Sequence, residues 1–451
     1  GGQAWYRTQF YLEEDASLVS VRLLFDGVYM NAQVYINGQV LGYYPNGYTP
    51  FSYDITPYLR NDGMANQLAV FVENQQPSSR WYSGSGIYRE VKLLITDAVH
   101  LDLYGTTIAS PKLKEQRQSW VETQLESKVL NDGPQSVSVY LEQSIWYDGQ
   151  QLSDWQATDS VVIKSGDKYA FQQVISIFQP LLWDIDFPHL YQLKTRLYKH
   201  GVLVDEEEET FGYRYMDWQA DKGFFLNGCW LKIHGVCLHH DYGALGAVEN
   251  KSAAERRLRQ MKEMGVNAIR ITHNPASSVL LDLAVKMGLL IQEEAFDTWY
   301  GGKKEYDYGR FFEEEATHPE AREGDFWSDY DLRTMIERGK NNPAIFMWSL
   351  GNEVSEANGD AHSLKTIKRL LERVKEVDNS RFVTMGMDQF RFGDGSGGHE
   401  KIADLLDVVG LNYSEDNIDA IRKRHSDWRL YGSETSSATR TRDSYFRPDK
   451  E

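Results

Sequence analysis

Two glutamates follow segments with the composition of buried strands. Glu353 comes after the apolar segment 344–350, and Glu434 comes after the segment 429–433. If these strands run parallel in one closed sheet, both carboxyl groups lie at the same end of it. Hydrolysis of a glycosidic bond needs such a pair, one carboxyl group as proton donor and the other as nucleophile.

Each glutamate also has a purely structural interpretation. Glu353 could lie in the first turn of a helix that Asn352 caps, where the helix dipole stabilises an acid. Glu434 could form an ion pair with Arg440 or Arg442 at the end of its strand. The spacing of the residues leaves both interpretations open.

Histidines lie at the ends of two earlier predicted strands. His239 and His240 end one strand, and His273 follows the next. A histidine in this position is more often a structural hydrogen-bond partner than a base. Taken one at a time, these residues do not indicate chemistry.

The elements that would position these residues alternate between strand and helix. Asn227-Gly228, flanked by apolar runs, predicts a hairpin, and helical periods follow from Ser252 and Glu255, a capping box. Strands are predicted at 232–238, 268–272, 289–293, 344–350, 382–385, 407–411 and 429–433. Seven strands alternating with helices over residues 214–451 predict a (β/α)₈ TIM barrel whose eighth strand is missing.

The residues before this barrel read as strands separated by turns. Residues 1–97 have the pattern of one β-sandwich, and residues 98–213 have the pattern of a second sandwich of immunoglobulin-like length. No helix is needed before residue 250. A multi-domain chain is also expected from its 451 residues, at roughly 100 to 200 residues per domain.

Composition excludes some classes of function. The chain has 48 Lys and Arg against 66 Asp and Glu, a net charge of −18, which disfavours nucleic-acid binding. No apolar run approaches the ~20 residues of a membrane span, so membrane insertion is not expected. Cys229 and Cys237 are too far apart in an extended segment for a disulfide, and we expect two buried free thiols outside any zinc-ligand spacing.

Several motifs, in order along the chain, resemble the family-two glycoside hydrolases, the group of the β-galactosidases, β-glucuronidases and β-mannosidases. They are residues 80–89 (RWYSGSGIYR), 180–183 (PLLW), 188–191 (PHLY), 211–214 (FGYR), 225–228 (FLNG), 234–236 (HGV), 267–270 (NAIR), 273–275 (HNP), 348–353 (WSLGNE) and 410–413 (GLNY). The resemblance implies a sugar-binding jelly roll, an immunoglobulin-like sandwich and a catalytic barrel.

The resemblance also implies roles for individual residues. Glu353 would be the general acid/base and Glu434 the nucleophile. Asn352 would contact the sugar 2-hydroxyl, and Tyr413 would hydrogen-bond the nucleophile. His239 would hold ring hydroxyls, as would a second histidine, His273.

Residues 294–299 (EAFDTW) and 301–303 (GGK) are similar to a β-galactosidase subgroup, in which Asp297 and Trp299 would line the sugar pocket. Magnesium-dependent members of the family carry Glu-Thr-His after the third strand. This chain has Asp-Thr-Trp there, so no metal and no other cofactor is expected.

The resemblance therefore predicts a retaining exo-β-galactosidase that acts on galactose-terminated oligosaccharides or glycans. Alternatives are a β-glucuronidase or another family-two β-glycosidase, and, in a different class, a non-catalytic carbohydrate-binding or adhesion module. Asp297 would repel a uronate, which favours a neutral sugar. The sequence specifies neither the aglycone nor the oligomeric state.

The chain looks most like large β-galactosidases exported by Gram-positive bacteria, which implies an extracellular or cell-surface enzyme, with a cytoplasmic one as the alternative. Against that pattern both ends of the chain look cut. We expect residues 1–451 alone to be poorly soluble or nearly inactive, and a chain with one more βα unit to be active.

Overall fold

The structure, a computed structural model, describes residues 1–13, 19–60 and 62–435. The strands of the first unit are β1 (Gly2–Phe10), β2 (Val19–Phe25), β3 (Val28–Tyr29), β4 (Ala32–Ile36), β5 (Gln39–Tyr44), β6 (Phe51–Asp54), β7 (Asn66–Asn74), β8 (Gly86–Ile87) and β9 (Val91–Asp97). One sheet has the order β1-β7-β4-β5, and others pair β6-β2-β9 and β3-β8. Alternate residues of β2, β4 and β7 point into one buried core, so the predicted sandwich is confirmed.

The second unit is an immunoglobulin-like sandwich, also as predicted. Its elements are β10 (Val99–Ala109), α1 (Leu113–Gln116), β11 (Trp120–Asn131), β12 (Val137–Tyr147), β13 (Gln150–Gln151), β14 (Gln156–Ala157), β15 (Val161–Ile163), β16 (Lys168–Phe178), β17 (Tyr191–Lys199) and β18 (Val202–Phe211). The expectation of no helix before residue 250 is wrong by three single turns among the described residues, which are α1 and the 3₁₀ turns at Thr56–Tyr58 and Gly243–Leu245. Leu113 of α1 closes one end of the core.

The third unit begins with a hairpin and continues as a barrel. Its elements are β19 (Met216–Gln219), β20 (Gly223–Leu226), β21 (Cys229–Trp230), β22 (Gly235–Leu238), α2 (Lys251–Glu263), β23 (Ala268–Ile271), α3 (Ser278–Lys286), β24 (Leu290–Glu294), α4 (Trp327–Gly339), β25 (Ile345–Asn352), α5 (Ala361–Val377), β26 (Phe382–Met387), α6 (Glu400–Ala403), β27 (Val409–Asn412), α7 (Ile418–Arg424) and β28 (Leu430–Glu434). Asn227 and Gly228 both have positive φ, as the predicted hairpin turn requires.

The barrel sheet is parallel and follows chain order from β22 to β28, with seven strands among the described residues. The sheet is nearly closed, because the Cys237 thiol of β22 lies 3.4 Å from the carbonyl oxygen of Ser433 on β28. The predicted strand number and the predicted barrel agree with this sheet. All carboxyl ends therefore meet at one mouth.

Local details differ from the sequence analysis. Asn250, rather than Ser252, caps α2, because its side chain accepts a hydrogen bond from the Ala253 N–H. The expectation of buried thiols is wrong, since Cys229 and Cys237 are free and exposed on strands β21 and β22. None of the helices in the described ranges is long and apolar enough to cross a bilayer.

Two arginines, one buried and one half-buried, join the sandwiches to the barrel. Arg89, next to β9, donates to the carbonyl oxygens of Pro275 (2.9 Å) and Ala276 (3.2 Å), which follow β23. Arg214, after the second sandwich, donates to the carbonyl oxygen of Ile345 on β25 (2.6 Å). The Arg89 contacts set the first sandwich beside the barrel mouth, and the Arg214 contact holds the second sandwich at the opposite end of β25.

Candidate active site

Glu353 and Glu434 both lie at the barrel mouth. Glu353 directly follows β25, with φ of 44°, and its N–H donates to the Gly386 carbonyl oxygen on β26 (2.7 Å). This left-handed residue stops the strand and turns the side chain. The helical interpretation of Glu353 is wrong, because Asn352 ends a strand and the next helix begins at Ala361.

Glu434, the last residue of β28, is held by two donors. Arg270 donates to its Oε1 (2.6 Å), and the Tyr413 hydroxyl donates to its Oε2. Partial burial opposes ionisation, but Arg270 and the Tyr413 hydroxyl outweigh burial and lower the pKa of Glu434. The predicted partners Arg440 and Arg442 lie outside the described residues. Glu434 is thus an ionised carboxylate, the form that a nucleophile needs.

Arg270 is the centre of a buried polar network. It lies on β23 and also donates to Glu294 Oε2 (2.8 Å) and Asn352 Oδ1 (3.0 Å). Burial alone would raise the pKa of Glu294, but Arg270 and His273 lower that pKa to about 2. Glu294 accepts a hydrogen bond from His273 Nδ1 (2.7 Å), which leaves Nε2 3.8 Å from Glu434 Oε1.

Glu353 is held by groups from two units. Asn412, at the end of β27, donates to Oε1 (3.2 Å), and Arg80, from the first sandwich, donates to Oε2 (3.3 Å). Asn412 also donates to Asn352 Oδ1 (3.1 Å). Tyr413 repeats the local geometry of Glu353, because each follows a strand-ending asparagine and has a positive φ.

Asp297 lies between two positively charged side chains at the same barrel mouth. Lys303 Nζ lies 2.9 Å and Arg80 Nη2 lies 3.0 Å from its Oδ1, which also accepts from Asn352 Nδ2 (3.2 Å). Burial opposes ionisation of Asp297, but Lys303, His273 and Arg80 hold its pKa well below the usual range. Asp297 is therefore ionised, with two cations beside it.

Aromatic rings form the opposite wall. Trp81, from the first sandwich, packs on His239 (4.3 Å between ring centroids) and lies 5.7 Å from His273. Burial and the neighbouring His273 lower the pKa of His239 to about 4, so it is neutral at pH 7 and able to bind hydroxyls. A cavity of about 720 Å³ contacts Trp81, both histidines, Tyr413 and Glu434. This volume is in the range of small-molecule sites.

Trp299 does not line this cavity. Its side chain is fully buried, and its indole N–H donates to the Leu350 carbonyl oxygen (2.9 Å). It packs beneath the strand that carries Glu353 and has no exposed face for a sugar. Among residues 1–13, 19–60 and 62–435, no three His, Cys, Asp or Glu side chains are grouped as metal ligands.

Family models match three successive parts of the chain. The sugar binding domain of the glycosyl hydrolases family 2 matches residues 1–97, the model described as glycosyl hydrolases family 2 matches residues 106–214, and the TIM barrel domain of that family matches residues 219–436. The chain belongs to glycoside hydrolase family 2.

Two relatives within family 2 carry different activities in their names. The Beta-galactosidase BoGH2A of Bacteroides ovatus is 37% identical and aligns with 99% of this chain and 54% of its own length. A Beta-glucuronidase of Bacteroides fragilis is 29% identical and aligns with 85% of this chain and 54% of its own length. The chain thus spans about half the length of these relatives.

A solved structure of a family 2 member from Bacteroides cellulosilyticus matches this fold. It superposes with a TM-score of 0.87 at 33% identity and covers 96% of this chain and 53% of that chain. The organisation into two sandwiches and a barrel is therefore that of family 2.

Several residues of the site were not singled out from the sequence. Among them are Arg80, Trp81, Arg270 and Lys303. The first three lie within the motifs that carry the family resemblance, and Lys303 ends the GGK segment. Their presence in those motifs was a signal, but the contacts of Arg80 with Glu353 and of Arg270 with Glu434 are long-range and have no local pattern.

Proposed function

We propose that this chain is the catalytic portion of a retaining exo-β-galactosidase, which removes terminal non-reducing β-galactosyl residues from oligosaccharides or glycans. The main support for the proposal is that two glutamates lie at the same barrel mouth and accept hydrogen bonds from different donors. Glu434 is kept ionised by Arg270 and Tyr413, whereas Glu353 accepts from Asn412 and Arg80.

The reaction would proceed by double displacement. A Glu434 carboxylate oxygen attacks the anomeric carbon, and the bond from that carbon to the leaving-group oxygen breaks. The leaving-group oxygen takes the proton of Glu353. Water then attacks the anomeric carbon of the glycosyl ester, passes a proton to Glu353, and releases Glu434 as carboxylate. The products are galactose, with its β configuration retained, and the free alcohol.

The choice of galactose is supported by one relative and by the hydroxyl-binding groups of the site. The Bacteroides ovatus protein named Beta-galactosidase aligns with nearly the whole chain. His239 and His273 stand beside the nucleophile as hydroxyl-binding groups. Asp297, with its ionised carboxylate, would accept hydrogen bonds from hydroxyls that reach it.

A β-glucuronidase is the second candidate, and one observation favours it. Arg80 and Lys303 both contact Asp297, so this corner carries two positive charges against one negative charge. The expected repulsion of a uronate by Asp297 is therefore offset. One of the relatives is also named a Beta-glucuronidase.

A panel of chromogenic β-glycosides of galactose, glucuronic acid, mannose and glucosamine, run on a longer chain that adds one more βα unit, separates these candidates. All activity measurements on variants use the same longer chain. We expect kcat/KM for the galactoside to exceed that for the glucuronide by about 100-fold, since a buried misplaced charge costs several kcal/mol. NMR of the first-formed sugar should show the β anomer. A higher rate on the glucuronide, or an α product, would refute this assignment.

Glutamine substitutions test catalysis against a non-catalytic binding module. Glu353→Gln and Glu434→Gln should each lower kcat at least ~10²-fold, because each removes a group that transfers a proton or forms a bond. Glu255→Gln, on the exposed face of α2, is the matched control. Unchanged hydrolysis by either site variant would remove its assigned role.

A further inference from the structure

Arg80 connects the first sandwich to two acids at the barrel mouth, Glu353 and Asp297. It lies on the segment between β7 and β8, and its guanidinium nitrogens separate their contacts. Nη1 lies 3.3 Å from Glu353 Oε2, and Nη2 lies 3.0 Å from Asp297 Oδ1. A planar guanidinium that contacts two carboxylates fixes the distance and angle between them.

The position of Glu353 explains why its carboxyl group needs the contact with Arg80. Glu353 has a positive φ, which is uncommon for a non-glycine residue, and it lies just beyond the end of β25. Asn412 holds only Oε1. Arg80 supplies the second donor, on Oε2, so the carboxyl plane is defined only when both donors are present.

The segment around Arg80 is itself braced. The Arg80 guanidinium lies over the Trp81 ring (5.2 Å to the centroid), and Trp81 packs on His239 at the barrel mouth. Asp297, the other partner of Arg80, is fixed by Lys303 and Asn352. Residues of both the first sandwich and the barrel therefore hold the Arg80 guanidinium in place beside Glu353.

We propose that Arg80 is a positioning residue that orients the Glu353 carboxyl group for proton transfer to the leaving group. The inference rests on the proposed function, because it requires Glu353 to be the acid/base. It makes the first sandwich a working part of the active site. Misplacement of a reacting group by about 1 Å can cost 10²-fold in rate, which sets the scale of the effect.

Leaving-group dependence distinguishes orientation of Glu353 from general support of the fold. With an alkyl glycoside, whose leaving oxygen needs a proton, Arg80→Met should lower kcat/KM 10-fold to 100-fold. With a 2,4-dinitrophenyl glycoside, which leaves without protonation, the loss should stay below threefold. Arg80→Lys should recover part of the alkyl activity. Equal losses on both substrates would overturn the proposal.

Arg310→Met is the matched control, because Arg310 also joins the barrel to the first sandwich, through Gln75 Oε1 (3.2 Å), but lies outside the cleft. We expect it to leave both rates unchanged. In a Glu353→Gln background, Arg80→Met should cost little more on the alkyl glycoside, since its effect passes through Glu353. Multiplicative losses in that double variant would contradict the proposal.

The experiment separates this inference from the proposed function. The glycone of both test substrates is the one that the wild-type protein hydrolyses fastest, so a different sugar preference does not affect the comparison. Full activity of Glu353→Gln on the alkyl glycoside would overturn both. A large loss in Glu353→Gln, with equal losses for Arg80→Met on the two leaving groups, would overturn only the role of Arg80.

Discussion

At the scale of single residues, the two glutamates differ in what donates to them. Glu434 accepts from a buried guanidinium and a phenol, whereas Glu353 accepts from a neutral amide and from a partly exposed arginine. Donors to a carboxylate favour its ionised form, and a buried charged donor is the stronger one. The local chemistry therefore assigns the permanent carboxylate to Glu434.

Tyr413→Phe tests this assignment through pH dependence. With Glu434 as the proposed nucleophile, activity needs its ionised form, so activity should be lost as pH falls through the pKa of Glu434. Removing the hydroxyl takes away a donor that lowers this pKa, so the acidic limb of kcat/KM should move to higher pH by about one unit. Tyr300→Phe, whose ring stacks on His362, is the control. An unmoved acidic limb would show that the phenol does not stabilise the carboxylate.

At the scale of elements, the cleft combines strand ends with one segment of the first sandwich. Strands β25, β27 and β28 end at or beside Glu353, Glu434 and the groups that hold them. The segment between β7 and β8 adds Trp81, which is 41% exposed and contacts the cavity. An exposed ring at this place suits the apolar face of a sugar.

Trp81→Ala should lower kcat/KM about fivefold, because one stacking contact is worth about 1 kcal/mol. The melting temperature should hardly change, since the ring is only partly buried. Trp120→Ala, at an exposed site on β11, controls for loss of a tryptophan. Steady-state kinetics and thermal unfolding measure both quantities. A large drop in melting temperature with unchanged kinetics would give Trp81 a structural role instead.

Helix α4 carries a buried carboxylate that predicts pH-dependent stability. Asp331 accepts hydrogen bonds from Tyr44, Tyr308 and Asn46, so it joins α4 to the first sandwich. Burial raises its pKa to about 6, against the opposing effect of these donors. The raised pKa means that its contribution is full below pH 4 and is lost as pH rises through 6.

Asp331→Asn removes this titration. Between pH 5 and pH 7, the free energy of unfolding of the variant relative to the wild type should rise by about 1 kcal/mol. Urea unfolding at both pH values measures the difference. Asp54→Asn, on the exposed end of β6, is the control. A pH-independent difference between Asp331→Asn and the wild type would mean that Asp331 ionises normally.

At the scale of the whole molecule, the active site depends on how three units are assembled. Arg89 fixes the first sandwich on the barrel, and Asn341, after α4, donates to the carbonyl oxygen of Thr106 in the second sandwich (2.8 Å). Arg80 and Trp81 belong to the first sandwich. If the contacts between that sandwich and the barrel are weakened, these two side chains should therefore shift in the cleft.

Arg89→Ala should destabilise the fold by about 3 kcal/mol, because buried carbonyl oxygens of Tyr48 and Pro275 lose their charged donor. In urea, the variant should lose activity at a lower concentration than the wild type does. The change in intrinsic fluorescence that reports unfolding should move to the same lower concentration. Arg117→Ala, at an exposed contact with Tyr215, should change neither. Loss of fluorescence without loss of activity would show that the interface does not support the cleft.

Much of the fold and part of the site could be predicted from the sequence because they depend on local pattern. The strands that end near Glu353 and Glu434 have apolar compositions that show their ends within one or two residues. Helix α4 was missed because it is buried on nearly all sides, with Ser328, Asp329 and Arg333 inside, so it lacks a one-sided apolar period. The placement of Trp299 was wrong because sequence position does not show which face of a loop is covered.

The sequence by itself determined the order of the three units, the parallel strands and the two glutamates at strand ends, since these follow from patterns over a few neighbouring residues. Only the tertiary structure decided which groups hold those glutamates. Arg80 reaches Glu353 across 273 residues, and Arg270 reaches Glu434 across 164. Such contacts arise when separately formed units pack together, and no spacing along the chain encodes the resulting distance or charge.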